Sequence, residues 1–210
     1  MWRWLTHWTI KSTAFLPWLA FMRTKYHFED KSKQSRKIKG KAILVSNHTS
    51  VMDFACHMFT FPMRNLRCVA AEVLYNKAKL LRWLLNSLGA IKVDRYSADF
   101  AFIDKACQVL DDGGVVEIFP ESRIPDKDEG MIAFKPSFVL MALRSNAPII
   151  PVYTQGNYFK AKRNHVAIGA PIDAQALYDE SLTEKENLQN ICDYVQKKVR
   201  ELQNGIEKGK

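Results

Sequence analysis

The sequence lacks the features that would staple the chain covalently or thread it through a bilayer. Its four cysteines, Cys56, Cys68, Cys107 and Cys192, form no CxxC pair and no closely spaced framework. They read as reduced, partly buried thiols, with no disulfide scaffold. Long apolar runs are also missing from the N-terminal region. Within the first 28 residues the longest uncharged stretch, Ser12 to Met22, is eleven residues and contains Pro17, whereas a spanning helix needs about 20 apolar residues. No small-x-small cleavage site follows, so a secretory leader is not indicated. The chain has no glycine-rich nucleotide phosphate loop, no internal repeat and no low-complexity tract.

What is present is ordinary in amount and uneven in place. The 210 residues, 47% hydrophobic and 25% charged, suffice for one domain with a substantial core. The net charge of +9 is concentrated: residues 1–41 carry ten basic residues against Glu29 and Asp30. Four of the five tryptophans, Trp2, Trp4, Trp8 and Trp18, fall in the first 28 residues beside Phe15, Leu16, Leu19 and Phe21. Tryptophan favours the headgroup region, and a basic cluster is drawn to anionic lipid. Residues 1–40 therefore predict a helical membrane-associating segment, and the bland counterpart is an apolar helix packed on the body; both can hold at once. Nucleic acid is a poor partner, because the aromatics lie in apolar company instead of alternating with basic residues.

From residue 41 strand-like and helix-like segments alternate. Strands are predicted over 41–46, 66–71, 89–93, 114–119, 148–153 and 164–169, and helices over 50–61, 76–87, 98–111 and 134–145. This is the pattern of an α/β domain, 41–210, with a mixed, largely parallel sheet flanked by helices. The last helix opens on a capping box, Thr183-x-x-Glu186, and carries the stripe Leu188, Ile191, Cys192, Val195, Val199 and Leu202, which should pack on the body.

The chemistry-bearing stretch is Ile43-Leu-Val-Ser-Asn-His-Thr-Ser-Val-Met-Asp53. An apolar strand ends in Asn47 and His48, at the end of a sheet where α/β ligands gather, and Ser50 looks like the N-cap of the next helix. A neutral imidazole can take a proton near pH 7, and a carboxylate five residues on can fix its tautomer. Two readings of Asp53 stay open: partner of His48, or the acid of a Ser50-x-x-Asp53 capping box. Three further pieces are Gly89 to Arg95, Val115 to Arg123 with Glu121 at a strand end, and Ala147 to Val152, whose prolines suggest an edge or wall. Cys56 as a nucleophile and a zinc site from His48, Asp53 and His57 are weaker alternatives.

Taken in order, these four pieces resemble the blocks of the glycerolipid acyltransferase family, whose best-known members are 1-acylglycerol-3-phosphate acyltransferases. Asn47-His48-Thr49-Ser50-Val51-Met52-Asp53 matches NH-x4-D, and Gly89 to Arg95 matches the second block. Phe119-Pro120-Glu121 matches the start of FPEGTRS, where the family glycine becomes Ser122 and the arginine moves to Arg123. Ala147 to Val152 matches the proline-bearing fourth block. The resemblance implies transfer of a fatty acyl chain from an acyl-CoA or acyl-carrier-protein thioester to a lysophospholipid hydroxyl in phospholipid biosynthesis. His48 would be the base and Asp53 its partner; Asn47, Arg95, Glu121, Arg123 and Pro151 would hold the substrates. It implies no cofactor and no metal. The altered third block puts the acceptor in question, and the alternatives are another lysolipid, a small hydroxyl acceptor, or a non-catalytic lipid-binding protein. The enzyme would sit, peripheral or monotopic, at the cytoplasmic face of the cell membrane.

Overall fold

The computed structural model describes residues 2–94, 100–126, 128–159 and 162–208. Its frame is a seven-stranded sheet in the order β1-β7-β6-β2-β5-β3-β4. The strands are β1 (Lys25–Phe28), β2 (Ala42–Ser46), β3 (Leu66–Ala71), β4 (Ile91–Val93), β5 (Val115–Ile118), β6 (Ile149–Thr154) and β7 (His165–Ile168). β2 is central and runs parallel to β5 and β6; among the pairings of the described strands only β6–β7 is antiparallel. β2 is buried along its whole length, as a parallel strand covered on both faces must be. Alternation then divides its side chains. Ile43 and Val45 enter one core and Ala42 and Leu44 the other.

Among the described residues eight helical segments clothe the sheet. They are α1 (Trp2–Met22), α2 (Asp53–Thr60), α3 (Glu72–Lys77), α4 (Lys79–Leu88), α5 (Ala101–Asp111), α6 (Ser137–Ser145), a 3-10 turn at Gln175–Leu177, and α7 (Glu184–Lys208). The first core joins α5, α6 and α7 to the sheet through Ile103, Phe138, Ile191 and Val195. The second joins α1 and α2 through Trp18, Met22, Cys56 and Phe59. The helices α3 and α4 form a small satellite around Tyr75 and Leu85. The capping box of α7 forms as predicted, with Thr183 N–H donating to Glu186 Oε2 at 2.9 Å and Glu186 N–H to Thr183 Oγ1 at 3.3 Å.

Three local differences from the sequence pattern have physical reasons. β1 lies inside the segment read as helical, and its short, half-exposed Lys-Tyr-His-Phe run gives no apolar periodicity to read. The single helix predicted over 76–87 is two helices, because Ala78 is fully extended (φ −158°, ψ 144°). The prolines of the 147–152 run do not mark an edge: β6, which holds Pro151 and follows Pro148, lies between β2 and β7. Pro151 is tolerated because the β7 ladder ends at Val152–Ile168. Its missing N–H points to the side where only its carbonyl is used, accepting from Gly169 N–H at 2.8 Å.

The N-terminal helix is packed along one face. His7 and Lys11 are buried with Trp18 and Met22. Trp18 stacks on Phe59 at 4.6 Å between centroids, and Lys11 donates its ammonium protons to the carbonyls of Pro62 and Arg64. No helix among the described residues is long and apolar enough to cross a membrane.

Candidate active site

β2 delivers Ser46 and Asn47 to the carboxyl end of the sheet, and the chain turns through Thr49–Met52 into α2. The helix begins at Asp53 with Met52 as its N-cap, three residues later than the sequence suggests. The reason is the side chain of Asp53 itself. Its Oδ2 accepts from Thr49 N–H (2.6 Å) and Ser50 N–H (2.8 Å), so the turn is pinned before the helix starts. The same Oδ2 faces His48 Nδ1 at 2.9 Å, and Oδ1 accepts from Thr49 Oγ1 (2.9 Å) and the hydroxyl of Tyr158 (2.7 Å). Asp53 is therefore the partner of His48. Of the capping box only the bond from Ser50 N–H to the Asp53 carboxylate forms, since the N-cap is Met52 and Ser50 Oγ accepts from Met52 N–H at 3.2 Å. That carboxylate satisfies the turn and holds the histidine.

Asp53 is completely buried. Burial alone would raise its pKa, but the hydrogen bonds from His48, Tyr158 and Ser50 outweigh it and hold the carboxyl below its ordinary value. A carboxylate on Nδ1 selects the imidazole tautomer with its proton there, leaving Nε2 as the basic nitrogen. The ring is fixed from its face by Phe119, stacked at 4.4 Å. His48 itself is part-exposed, so a reactant can reach it.

Asn47 and Glu121 act on the backbone of this loop. Asn47 Nδ2 donates to the carbonyl of Thr154 (2.9 Å) and its Oδ1 accepts from Thr154 N–H (2.8 Å), extending the β6 ladder with a side chain. Glu121, nearly buried, accepts from His48 N–H at 2.8 Å and from Ile132 N–H at 3.2 Å. Burial raises its pKa, against the pull of those two donors. The neighbouring Arg123 is elsewhere in character: exposed, and paired in a fork with Glu129. Ser122, between them, sits at φ +63°, a left-handed conformation that glycine adopts without strain. Pro151 packs on Gly169, where a Cβ would meet the proline ring at 2.6 Å. Arg95 lies outside the described residues.

Three participants gave no signal in the sequence. Tyr158 arrives from a loop more than a hundred residues downstream, brought close by Gly156 (φ +76°), where a Cβ would collide with Thr49 Oγ1 at 2.2 Å. Thr154 joins Asn47 to a second, wholly buried histidine–carboxylate pair. His57 bonds Glu117 through Nδ1 and Thr154 Oγ1 through Nε2 at 2.7 Å. Burial raises the pKa of Glu117, partly offset by His57. With both ring nitrogens engaged, His57 does not converge with His48 and Asp53 on a zinc position. Cys56 is wholly buried in the second core, where burial also pushes its thiol up to about 12, a setting that does not suit a nucleophile.

Phe119 also lines a groove of about 410 Å³ with Val69, Val93, Phe100, Ile118 and Leu140. Its wall is mostly apolar, and it begins beside the ring that His48 stacks on.

The Acyltransferase family model matches residues 23–155. The 1-acyl-sn-glycerol-3-phosphate acyltransferase of Limnanthes douglasii is 27% identical over 174 residues, 81% of this chain and 60% of that protein. The protein of the same name from Bacillus subtilis (strain 168) is 27% identical over 134 residues, 60% of this chain and 65% of its own length. The chain thus spans less than two thirds of these relatives. The crystal structure of the 1-acyl-sn-glycerophosphate (LPA) acyltransferase from Thermotoga maritima superposes with a TM-score of 0.68 at 20% identity, covering 96% of this chain and 81% of that one. That likeness is one of fold.

Proposed function

Because the chain belongs to the acyltransferase family, we propose that it transfers a fatty acyl group from a thioester donor to the hydroxyl of a lysophospholipid, 1-acylglycerol-3-phosphate first among acceptors. The observation that carries this is the His48 Nδ1–Asp53 Oδ2 contact of 2.9 Å at the carboxyl end of β2, on a carboxylate with no solvent exposure.

In this mechanism Nε2 of His48 takes the proton of the acceptor hydroxyl as its oxygen attacks the thioester carbonyl. The imidazolium that forms lies against the Asp53 carboxylate, which neutralises it without moving. The tetrahedral adduct then collapses, its carbon–sulfur bond breaks, and the departing thiolate recovers the proton from His48. Glu121 and Asn47 keep the loop in register throughout. The apolar groove beside Phe119 suits an acyl chain.

The donor is acyl-CoA or an acyl-carrier protein, and the acceptor and product are lipids. This supports a peripheral or monotopic position on an anionic membrane surface, at the cytoplasmic face, with α1 presenting Leu5, Phe15 and Leu16 outward. One observation favours a second acceptor class. The Arg123 guanidinium is already engaged by Glu129, so a headgroup that needs no second arginine would fit equally well.

The test is incubation of the purified chain with radiolabelled acyl-CoA and acyl-carrier protein against a panel of lysophosphatidate, uncharged lysolipids and small alcohols. Labelled diacyl product from lysophosphatidate is expected, and none from the His48→Ala variant. Transfer that persists in that variant would overturn the mechanism. Product only from uncharged acceptors would overturn the preferred substrate.

A further inference from the structure

Among the apolar side chains that stand in solvent outside the N-terminal helix, three are grouped on α3 and α4. Val73 on α3 is 56% exposed, and Leu80 and Trp83 on α4 are 73% and 54% exposed. Leu80 and Trp83 are three apart, so they share one face of α4; Leu85, one of its inward residues, lies on the opposite side and is buried. The helix is thus apolar on both sides, one of them without a partner among the described residues. Exposed apolar surface of this kind marks a contact yet to be made.

What covers it is indicated by charge and by continuity. Lys77, Lys79 and Arg82 stand among these residues, and the one acidic residue of α3 and α4, Glu72, is paired with Lys92 at 2.8 Å. An apolar face with a cationic fringe matches the acyl boundary and headgroups of an anionic bilayer. α4 also packs against α1, whose own outward face carries Leu5, Phe15 and Leu16, with Leu16 74% exposed. Val73 lies in the first turn after β3, at the carboxyl end of the sheet where His48 works.

We propose that α4, with the first turn of α3, is a second lipid-contact element whose occupant is an anionic membrane surface. The proposal rests on the reading that the acceptor is a bilayer lipid. It extends the contact beyond the N-terminal helix to the rim of the catalytic end. An enzyme held at two elements has its orientation fixed, and its site then faces the bilayer instead of merely lying near it.

The experiment uses the full chain, vesicles of equal parts phosphatidylcholine and phosphatidylglycerol, and the double variant Leu80→Asp, Trp83→Asp. Both positions are exposed, so circular dichroism and melting should match the parent. Vesicle affinity by co-sedimentation should fall about tenfold or more, and Leu16→Asp should weaken it separately. Acyl transfer to vesicle-borne acceptor should fall with it, while transfer to detergent-dispersed acceptor stays unchanged. Undiminished pelleting by a well-folded double variant overturns the proposal. So does a lipid-free dimer of the parent that the double variant dissociates, since the face would then be an interface between copies. Absence of transfer to any dispersed acceptor, with pelleting still dependent on Leu80 and Trp83, overturns the enzymatic reading and leaves the lipid contact standing.

Discussion

A carboxylate that is wholly buried yet ionised needs more donors than one histidine supplies, and Asp53 has them in Thr49, Ser50 and Tyr158. Asp53→Asn should therefore cut the rate steeply while keeping much of the turn, whereas His48→Ala should remove the base and cost about 10²–10⁴-fold. Tyr158→Phe should cost less than either. It strips one donor from Oδ1, so the Asp53 carboxyl moves back toward its ordinary value. Initial rates of the three variants at saturating donor order them, and a Tyr158→Phe loss equal to that of His48→Ala would make the tyrosine a reactant. The Arg123–Glu129 fork makes a second expectation. Glu129→Gln frees the guanidinium, so KM for lysophosphatidate should drop severalfold if Arg123 meets the phosphate, with KM for the donor unmoved. Invariant KM values for both would confine Arg123 to a surface ion pair. The His48–Asp53 pair was legible because five residues of sequence hold it together. Tyr158, Thr154 and Glu117 were not, because only the assembled sheet brings them near residues 47–57.

Among the elements, α1 shows how far composition can be trusted. Its aromatic and basic content is compatible with a membrane surface, yet one face is core: Trp18 lies on Phe59, and Lys11, counted among the basic cluster, is buried on two carbonyls. His7 shares that face, its Nε2 bonded to the carbonyl of Leu88 at 3.0 Å. Burial, opposed by that bond and aided by Lys11 and Arg67, lowers its pKa from 6.5 to about 4. The unfolded chain then binds a proton that the folded chain refuses between about 6.5 and 4, so His7 costs stability as pH falls through that window. Lys11, lowered by burial from 10.5 to about 8, has the same sign in a higher window, and stability should rise from about 8 to 10.5. Urea midpoints of the parent against His7→Gln and Lys11→Met, followed against pH, should run parallel outside those windows and change their separation inside them, the parent losing ground as pH falls through each; curves parallel throughout would remove the two groups from the pH dependence. The strands of the parallel sheet were readable because both-face burial writes an unbroken apolar run, as in Ala42–Val45. β1 and the break at Ala78 were not, since one is a polar edge and the other a single extended residue with no glycine or proline to announce it.

At the scale of the whole molecule, the question is whether α1 is an appendage or part of the cooperative unit. An appendage could be cut away to leave a competent body. Here Trp18 is 8% and Met22 3% exposed, both within the core that also holds Leu44, Ile150 and Val152, and α1 leads directly into a strand of the sheet. Burial of two such side chains contributes about 1.5–3 kcal/mol each, a large share of the 5–15 kcal/mol typical of a whole domain. Removing residues 1–22 should therefore do more than weaken vesicle binding. The truncated chain should melt well below the parent, bind a hydrophobic dye, and lose activity on detergent-dispersed acceptor as well as on vesicles. In the full chain, tryptophan fluorescence, reporting mostly on α1, and far-ultraviolet circular dichroism, reporting on the body, should trace one coincident unfolding transition. An early fluorescence transition, with the body still folded and active, would show that α1 is held loosely and is free to exchange the protein for the bilayer.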